Sequence, residues 1–352
     1  MPAILTVTFN PCIDVNSSVR VMLPDIKLQC AEPLYQPGGG GINVARAIRQ
    51  LGGTATTVFL SAGSNGRRLT AMLAADGIPC LPVEVTGNTR ENLIIADEST
   101  GLQYRFNMPG PAVTAADIQR LLSCVSEQKD VEFIIVSGSL APGMSPGIWE
   151  DLAAIAKEKK ARLIADTSGE SLKRAMAAGI FLLKPSAHEL ASLAEQCAGA
   201  PSDTLPASGP VPPSGAAPPS VSSPEPAALS ASTSLTGIAQ MARQAFAAGN
   251  CQAMAVSLGK SGVLLVTANG TRQFPAPAVK VVSTVGAGDS LVAGIVRSLQ
   301  LGKDLEESVQ YGAVCGAAAT LNPGTTLCRA KDVERLLAGL QEGTCPLIRH
   351  DE

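Results

Sequence analysis

Residues 283–290 read STVGAGDS, two glycines and a carboxylate set between the apolar stretches 278–282 and 291–296. The second stretch predicts a buried helix that begins close to these glycines. Glycine in the first turn of a helix costs about 1 kcal/mol relative to alanine. The backbone without side chains is therefore expected to contact a group outside the helix.

That requirement is met if the helix start binds an anion. Backbone N–H groups at a helix N-terminus, aided by the macrodipole, favour an anion or a phosphoryl group in transfer. Asp289 adds negative charge at the same place, which suits a general base that removes a hydroxyl proton. The alternative is that Asp289 is an ordinary first-turn acidic residue favoured by the helix dipole.

A second glycine cluster, residues 38–41, precedes another predicted helix and repeats this design. It lacks the Gly-Lys-Ser/Thr ending of a P-loop and the spacing of a dinucleotide-binding fingerprint. Asn43, in the first turn of that helix, can bind a ligand hydroxyl, or it can cap the helix.

Composition restricts the protein class. Of the 352 residues, 45% are hydrophobic and 3% aromatic, which predicts an aliphatic core around a largely parallel sheet. A net charge of -3 gives no indication of a nucleic-acid or membrane partner. Nine scattered cysteines without a C-x-x-C pair favour reduced thiols, and two histidines argue against a His-rich metal centre. No targeting or membrane-spanning segment is recognisable, so a cytoplasmic protein is expected.

After residue 113, predicted strands and helices alternate strictly, which indicates right-handed crossovers and a parallel sheet. Ligands bind at the carboxyl ends of such strands. The glycine clusters, Asp14, Ser139 and Lys184 each follow a predicted strand. Residues 201–226 contain nine of the 25 prolines, so 198–234 is predicted to be a disordered surface insertion in a single domain, 1–352.

Two segments point to a family. PGGGGINVARAIRQLGG (37–53) and STVGAGDS resemble the paired signatures of the ribokinase-like (PfkB) carbohydrate kinases, and TVTFNPCID, VSGSLAPG, KPSAHEL, VSLGKSG and TLNPGT fall in the family's order. Together with QYRFNMPG they are most similar to the family's minor-type 6-phosphofructokinases. The resemblance implies an α/β fold, a ribokinase-like three-layer α/β/α sandwich with a mostly parallel central sheet. It also implies a small β-sheet lid, from about 12–35 and 85–107, that excludes water and pairs two copies into a homodimer.

The resemblance also implies residue roles. Asp289 would be the catalytic base, and the anion hole would consist of Gly286, Ala287 and Gly288. The sugar would be held by Asp14, Gly39 and Asn43, and its phosphate by Lys27, Arg90, Arg105 and Ser139; the alternative is that these cations are solvated surface charges. ATP would contact Lys184, Ser186, Ser257, Gly259 and Gly262, with Glu189 organising water around Mg²⁺. A monovalent cation such as K⁺ would lie against Ser283, Val285, Ala319, Asn322 and Gly324.

The implied reaction is phosphoryl transfer from MgATP to the C1 hydroxyl of fructose 6-phosphate, a step of glycolysis. Tagatose 6-phosphate and fructose 1-phosphate remain open as substrates, while a free ribose or a nucleoside fits the predicted cations less well. Two positions depart from the family pattern: Ser186 replaces an Asn, which puts magnesium organisation in doubt, and Thr326 replaces an expected Arg beside the cation site. A catalytically silent sugar-phosphate sensor is the alternative outside enzymes.

Overall fold

The computed structural model describes residues 3–197, 234–322 and 324–341. The strands in these ranges, numbered in chain order, are β1 Ala3–Thr8, β2 Cys12–Val19, β3 Leu34–Gly38, β4 Thr56–Ala62, β5 Cys80–Val85, β6 Arg90–Asp97, β7 Gln103–Phe106, β8 Val131–Ser137, β9 Arg162–Asp166, β10 Leu182–Leu183, β11 Ala253–Ser257, β12 Val263–Thr267 and β13 Gly270–Phe274. The helices are α1 Gly40–Gln50, α2 Gly63–Ala75, α3 Ala115–Glu127, α4 Ile148–Lys159, α5 Gly169–Ala177, α6 Ala187–Cys197, α7 Leu235–Ala248, α8 Ala287–Gln300, α9 Leu305–Ala319 and α10 Ala330–Gln341.

A nine-stranded sheet forms the centre of this part of the chain, in the order β13-β12-β11-β10-β9-β8-β1-β4-β5. The strands from β11 through β5 in that order pair in parallel, whereas β12 and β13 are antiparallel additions at one edge. The mostly parallel sheet is therefore confirmed. The strict alternation predicted after residue 113 is wrong at β11–β13, where strands follow one another without a crossover helix.

Both faces of the central sheet are covered by helices. Successive residues of β8 alternate between the two cores: Phe133 and Ile135 join one, Ile134 and Val136 the other. The first core packs against α1, α2, α8, α9 and α10, and the second against α3 to α7. This arrangement confirms the three-layer α/β/α fold and explains why the central strands carry apolar residues on both faces.

A separate four-stranded sheet has the order β3-β2-β6-β7. Its central pair, β2 and β6, is parallel, and β3 and β7 flank it in antiparallel orientation. In this sheet β2 extends over eight residues. Asp14 follows β1, as expected, but lies inside β2 rather than in a loop.

The insertion predicted over 198–234 lies outside the described residues except for Ser234, whose hydroxyl accepts a hydrogen bond from the amide of Gly237 and caps α7. No helix in the described ranges combines the length and apolar character needed to cross a membrane.

Candidate active site

The start of α8 is shaped by a glycine that no other residue can replace without strain. Gly286 has φ 74°, and a Cβ there would lie 2.7 Å from Leu327 Cδ2. No side chain caps this helix. Its first-turn amides therefore face the site without a side-chain acceptor, as anion binding requires.

The start of α1 approaches the ends of β1 and β8 very closely. A Cβ on Gly40 would lie 2.2 Å from Ser137 Oγ, and one on Gly41 would lie 2.5 Å from the carbonyl oxygen of Val7. Gly39 precedes them at φ 109°. The second glycine cluster thus brings the N-terminus of α1 against the carboxyl ends of the strands and beside α8.

Asp289 lies where the first turns of α1 and α8 meet. Asn43 Nδ2 donates to its Oδ2 at 3.0 Å, and Ser137 Oγ donates to its Oδ1 at 3.2 Å. Burial, followed by the charge of Asp166, raises the pKa of Asp289 from 3.8 to about 7. Such a carboxylate is poised to accept a proton near neutral pH.

A buried ion pair lies next to the predicted anion hole. Lys184 Nζ is 3.0 Å from Asp166 Oδ1, and Lys184 is 5% exposed. Burial alone would lower the pKa of Lys184, but the charges of Asp166, Glu189 and Asp289 raise it above its usual value, so the amine is charged. A Cβ on Gly288 would lie 3.7 Å from Lys184 Nζ, which places this positive charge beside the N-terminus of α8.

Asp14 is held on the inner face of the small sheet. Its Oδ1 accepts from Cys12 Sγ at 3.2 Å and from Asn92 Nδ2 at 3.4 Å. Burial raises its pKa, although these hydrogen bonds and nearby arginines counteract the effect. Gly38 leaves room for it, since a Cβ there would be 2.5 Å from Asp14 Oδ2.

Two of the four residues predicted to bind a substrate phosphate, Arg90 and Ser139, are linked through Asn10. Arg90 donates to the carbonyl oxygens of Asn10 and Met108, each at 3.0 Å, and its buried Nε has no partner among the described residues. Asn10 Nδ2 in turn donates to Ser139 Oγ at 3.2 Å.

Arg105 donates to Thr284 Oγ1 at 3.3 Å, beside the predicted anion hole. Lys27 is exposed in the segment between β2 and β3 and forms no hydrogen bond or ion pair with these residues in the described part of the chain.

Three of the five residues predicted to contact ATP line a cavity of about 530 Å³, and Lys184 and Ser186 lie outside its lining. Ser257, Gly259 and Gly262 form one side of it, and Ala287 and Gly288 close its inner end. The sequence did not single out its apolar walls. They come from the α9 residues Ala313, Gly316 and Ala317 and from Ala276, Pro277, Ala278, Val279 and Val281. A cavity with an apolar body and a helix N-terminus at its end fits a nucleotide with its phosphates directed at α8.

Ser186 and Glu189 form a reciprocal cap at the start of α6. Ser186 N–H donates to Glu189 Oε2 at 2.7 Å, and Glu189 N–H donates to Ser186 Oγ at 3.2 Å. Ser186 also bridges Ser257 of the nucleotide cavity. The serine that replaces the family's Asn thus has a structural function of its own.

A carboxylate beside the phosphates fits Mg²⁺, which takes one or two carboxylates plus waters and phosphate oxygens. Glu189, which the resemblance assigns to organising water around Mg²⁺, lines a second cavity of about 400 Å³, and its Oε2 accepts from Ser186 N–H. In the described ranges, no group of three or more His, Cys, Asp or Glu residues is placed to hold a metal.

The residues predicted to surround a monovalent cation lie in two touching loops. Ser283 Oγ donates to the carbonyl oxygen of Gly324 at 3.2 Å and accepts from Val285 N–H at 3.2 Å. The amide of Asn322 donates to the carbonyl oxygen of Ala319 at 3.2 Å. These carbonyl and hydroxyl oxygens are the donor type that suits K⁺.

Beside the expected cation loops, the small sheet is anchored through Gln36 and Thr325. Gln36 Oε1 accepts from Thr325 Oγ1 at 2.6 Å and from Asn16 Nδ2 at 3.2 Å. Thr325 precedes Thr326, the position of the missing Arg. A network of uncharged polar groups therefore connects the small sheet to the loop that carries Gly324.

Sequence reasoning missed Ser137, Asp166, Asn10 and Asn92. Ser137 and Asp166 are the last residues of β8 and β9, so the rule that ligands bind at the carboxyl ends of parallel strands had the signal to find them. Asn10 and Asn92 carry no such local signal, because their roles arise from contacts between distant segments.

Comparison with known proteins identifies relatives over nearly the whole chain. The family model described as pfkB family carbohydrate kinase matches residues 7–332. The chain is 36% identical over 341 residues to ATP-dependent 6-phosphofructokinase isozyme 2 of Escherichia coli, covering 97% of this chain and 99% of that protein. The enzyme of the same name from Mycobacterium tuberculosis is 36% identical over 347 residues, covering 97% and 91%. A 1-phosphofructokinase of Rhodobacter capsulatus is 29% identical over 326 residues, covering 91% and 92%.

Solved structures show the same fold. The structure titled phosphofructokinase-2 from Escherichia coli in complex with potassium superposes with a TM-score of 0.82 at 36% identity, covering 97% of this chain and all of that one. A structure titled as the tetrameric inhibited form of the same enzyme gives a TM-score of 0.81 at 35% identity, with the same coverage.

Proposed function

The chain belongs to the pfkB family of carbohydrate kinases, and we propose that it is an ATP-dependent 6-phosphofructokinase that converts fructose 6-phosphate to fructose 1,6-bisphosphate. The observation that carries this proposal is the position of Asp289. Its carboxylate accepts a hydrogen bond from Asn43, the residue proposed to hold the sugar, and Asp289 directly follows Ala287 and Gly288, which line the nucleotide cavity. A hydroxyl bound there meets a base and an anion hole at the same point.

In the proposed reaction, Asp14 and Asn43 orient the sugar, and Asp289 accepts the proton of the attacking C1 hydroxyl. The oxygen then attacks the γ-phosphorus in line, and the leaving ADP oxygen receives the departing charge. Amides of Gly286, Ala287 and Gly288 stabilise the phosphoryl group in transfer. Lys184 adds a fixed positive charge beside them. Bound Mg²⁺ would neutralise phosphate charge, with Glu189 organising the water around it.

A phosphorylated sugar is favoured over a free one because a phosphate dianion needs several donors, and Arg90, Arg105 and Ser139 can supply them. Arg90 donates to the carbonyl oxygen of Asn10, Arg105 donates to Thr284 Oγ1, and Ser139 accepts from Asn10, so phosphate oxygens would replace these protein partners. A free ribose or a nucleoside needs no such set of cations. Lys27, exposed in this structure, would have to move with its segment to reach the phosphate.

The sugar specificity is tested by the release of ADP from MgATP in the presence of fructose 6-phosphate, tagatose 6-phosphate, fructose 1-phosphate or no sugar. The proposal expects the highest kcat/KM with fructose 6-phosphate. Preference for fructose 1-phosphate or tagatose 6-phosphate would retain the mechanism and replace the assigned substrate. Binding of sugar phosphate without turnover of any of them would identify a sensor and refute the enzyme proposal.

The pH dependence of kcat/KM reports the ionisation of Asp289. Only the ionised carboxylate accepts a proton, so below its pKa of about 7 the rate is expected to fall about tenfold per pH unit, with a plateau above. Substrate phosphates titrate near pH 6, so the pKa of the sugar phosphate is determined separately. If the acidic limb of the kcat/KM profile followed only the pKa of the substrate phosphate, the assignment of Asp289 as the base would be contradicted.

We also propose that the small sheet is a lid through which two copies pair, acting with K⁺ and Mg²⁺ in the cytoplasm. Its outer face carries one apolar row across four strands, formed by Tyr35, Val15, Leu93 and Phe106 in paired register. Leu93 is 37% and Phe106 45% exposed. Val15 is buried, and the Arg68 guanidinium covers the ring of Tyr35, so Leu93 and Phe106 form the exposed apolar part of this face, which is suited to an interface.

Replacing Leu93 by Asp is expected to convert the dimer into monomer, since a carboxylate would be buried without a partner. Light scattering after size-exclusion chromatography measures the mass. The control is Leu301→Asp, a change at a 57% exposed leucine after α8. If both variants kept the mass of the wild type, the interface would lie elsewhere. If the wild type were a tetramer and Leu93→Asp a dimer, the lid would form one of two different interfaces.

A further inference from the structure

A large cavity opens at the end of the central sheet opposite the active site. We call it the basal cavity; it has a volume of about 1010 Å³ and lies between the ends of α4, α5 and α8, the start of α9 and the first residues of β9. Its size is at the upper limit of about 300–1,000 Å³ typical of small-molecule pockets. The proposed reaction uses none of its residues.

Four cationic side chains line the basal cavity: Lys157, Lys160, Arg162 and Lys303. Two of the charged residues are neutralised by partners: Glu150 pairs with Arg174 at 3.3 Å, and Lys303 pairs with Glu307 at 3.4 Å. Asp304 keeps its charge while it accepts from the amide of Glu307 in the cap of α9. Lys157, Lys160 and Arg162 have no carboxylate partner in the described part of the chain, so the cavity keeps a net positive charge.

Arg162 forms the floor of the cavity. It is half-buried, and its guanidinium lies over the rings of Phe181 and Phe133, with centroid distances of 5.1 and 5.5 Å. The described residues give it no hydrogen-bond acceptor and no carboxylate. A guanidinium oriented by aromatic faces, with its donors unused by the protein, is well placed to bind an oxyanion in bidentate fashion.

Lys160 has an unusual backbone. It ends α4 at φ 57°, a left-handed conformation in which glycine is the favoured residue. A lysine there is less stable than a glycine, and its side chain extends into the same cavity as Lys157 and Arg162. The position of this charge is thus maintained against the local backbone preference.

From these observations we propose that the basal cavity binds a small organic phosphate. Arg162 and the lysines bind the phosphate, and Phe181, Leu299 and Leu305 form an apolar wall for the rest of the molecule. This site is separate from the active site, because β9 begins at Arg162 and ends at Asp166, about 13 Å away at 3.3 Å per residue. The proposal does not depend on which sugar the active site phosphorylates.

Equilibrium dialysis tests the proposal with radiolabelled AMP and glycerol 3-phosphate as probes. The protein is held with saturating fructose 6-phosphate and a non-hydrolysable ATP analogue, so that the active site is filled. One additional equivalent per chain is expected for at least one probe. Binding of AMP alone would identify a nucleotide site, and equal binding of both would identify recognition of the phosphate group; both outcomes support the proposal.

Substitutions inside and outside the basal cavity show whether the additional equivalent of probe binds there. Arg162→Gln is expected to weaken it by about tenfold or more, and Lys160→Gly several-fold without lowering the melting temperature. Lys331→Gln, at an exposed lysine of α10 outside the cavity, is the control and should bind as the wild type does. If neither probe bound, or if Arg162→Gln bound as tightly as the wild type, the proposal would be wrong. A failed active-site assignment would be recognised separately, as turnover that is absent in every variant.

Discussion

Asp289→Asn is expected to lower kcat by about 10³-fold, within the range of about 10²–10⁴ for general bases, while the KM for the sugar phosphate changes little. The amide keeps the size of the carboxylate and can still contact Asn43 and Ser137. It cannot take the hydroxyl proton. Steady-state kinetics over sugar and ATP concentration measure the effect, and the limb of the pH profile near pH 7 should disappear with the activity.

Ser137→Ala is the matched control for this substitution. It removes one hydrogen bond to Asp289 and leaves the base, so kcat should fall by far less, and the pKa of Asp289 should rise because this bond lowers it. Comparable losses in both variants would show that the position of α8, and not the proton acceptor, limits the rate. Such a result would contradict the general-base assignment.

Asp289→Asn should also change the pH dependence of stability in a predictable direction. The raised pKa means that the folded state binds this proton more tightly than the unfolded chain does. Ionisation of Asp289 therefore lowers the stability of the wild type as pH rises from about 4 to 7. The difference in melting temperature, variant minus wild type, should accordingly be larger at pH 8 than at pH 4.5.

The elements that sequence predicted best are those with a local cause. Both glycine clusters were recognised because a helix start without side chains is a local pattern, and the structure gives the reason for each, in the φ of Gly286 and the narrow space at Gly40. The hairpin of β12 and β13 also had a local signal, because Asn269 in its two-residue loop and Gly270 beside it are typical turn residues, but it was not predicted. The edge strand β5 was missed because Pro82 argues against a strand, although an edge position tolerates it.

Side-chain partnerships across the fold were less predictable. The resemblance assigned Lys184 to the nucleotide phosphates, but nothing in the sequence showed that it pairs with Asp166, 18 positions earlier, on the neighbouring strand. Lys27 was grouped with Arg90 and Arg105 by resemblance alone, and the structure does not bring it to them. Such contacts depend on strand register and loop conformation, which the residue pattern does not encode locally.

That ion pair provides the second large expected effect, in Lys184→Met. The change removes the positive charge beside Gly288 and leaves the carboxylate of Asp166 buried without its partner. Breaking a buried pair in this way costs about 3–5 kcal/mol of folding free energy, and the lost charge should lower kcat by about 10²-fold or more. Denaturant unfolding and steady-state kinetics measure the two losses.

The pH profile distinguishes loss of that charge from general damage. Lys184 lowers the pKa of Asp289, whereas the charge of Asp166 raises it, so the rate limb of Lys184→Met should shift to higher pH. In the double variant Asp166→Asn/Lys184→Met, the unpaired carboxylate is gone, and stability should return toward that of the wild type. The double variant should still lack rapid turnover, because the positive charge beside the anion hole is missing. Recovery of kcat together with stability would show that Lys184 serves only to hold the fold, and its assignment to phosphoryl transfer would be wrong.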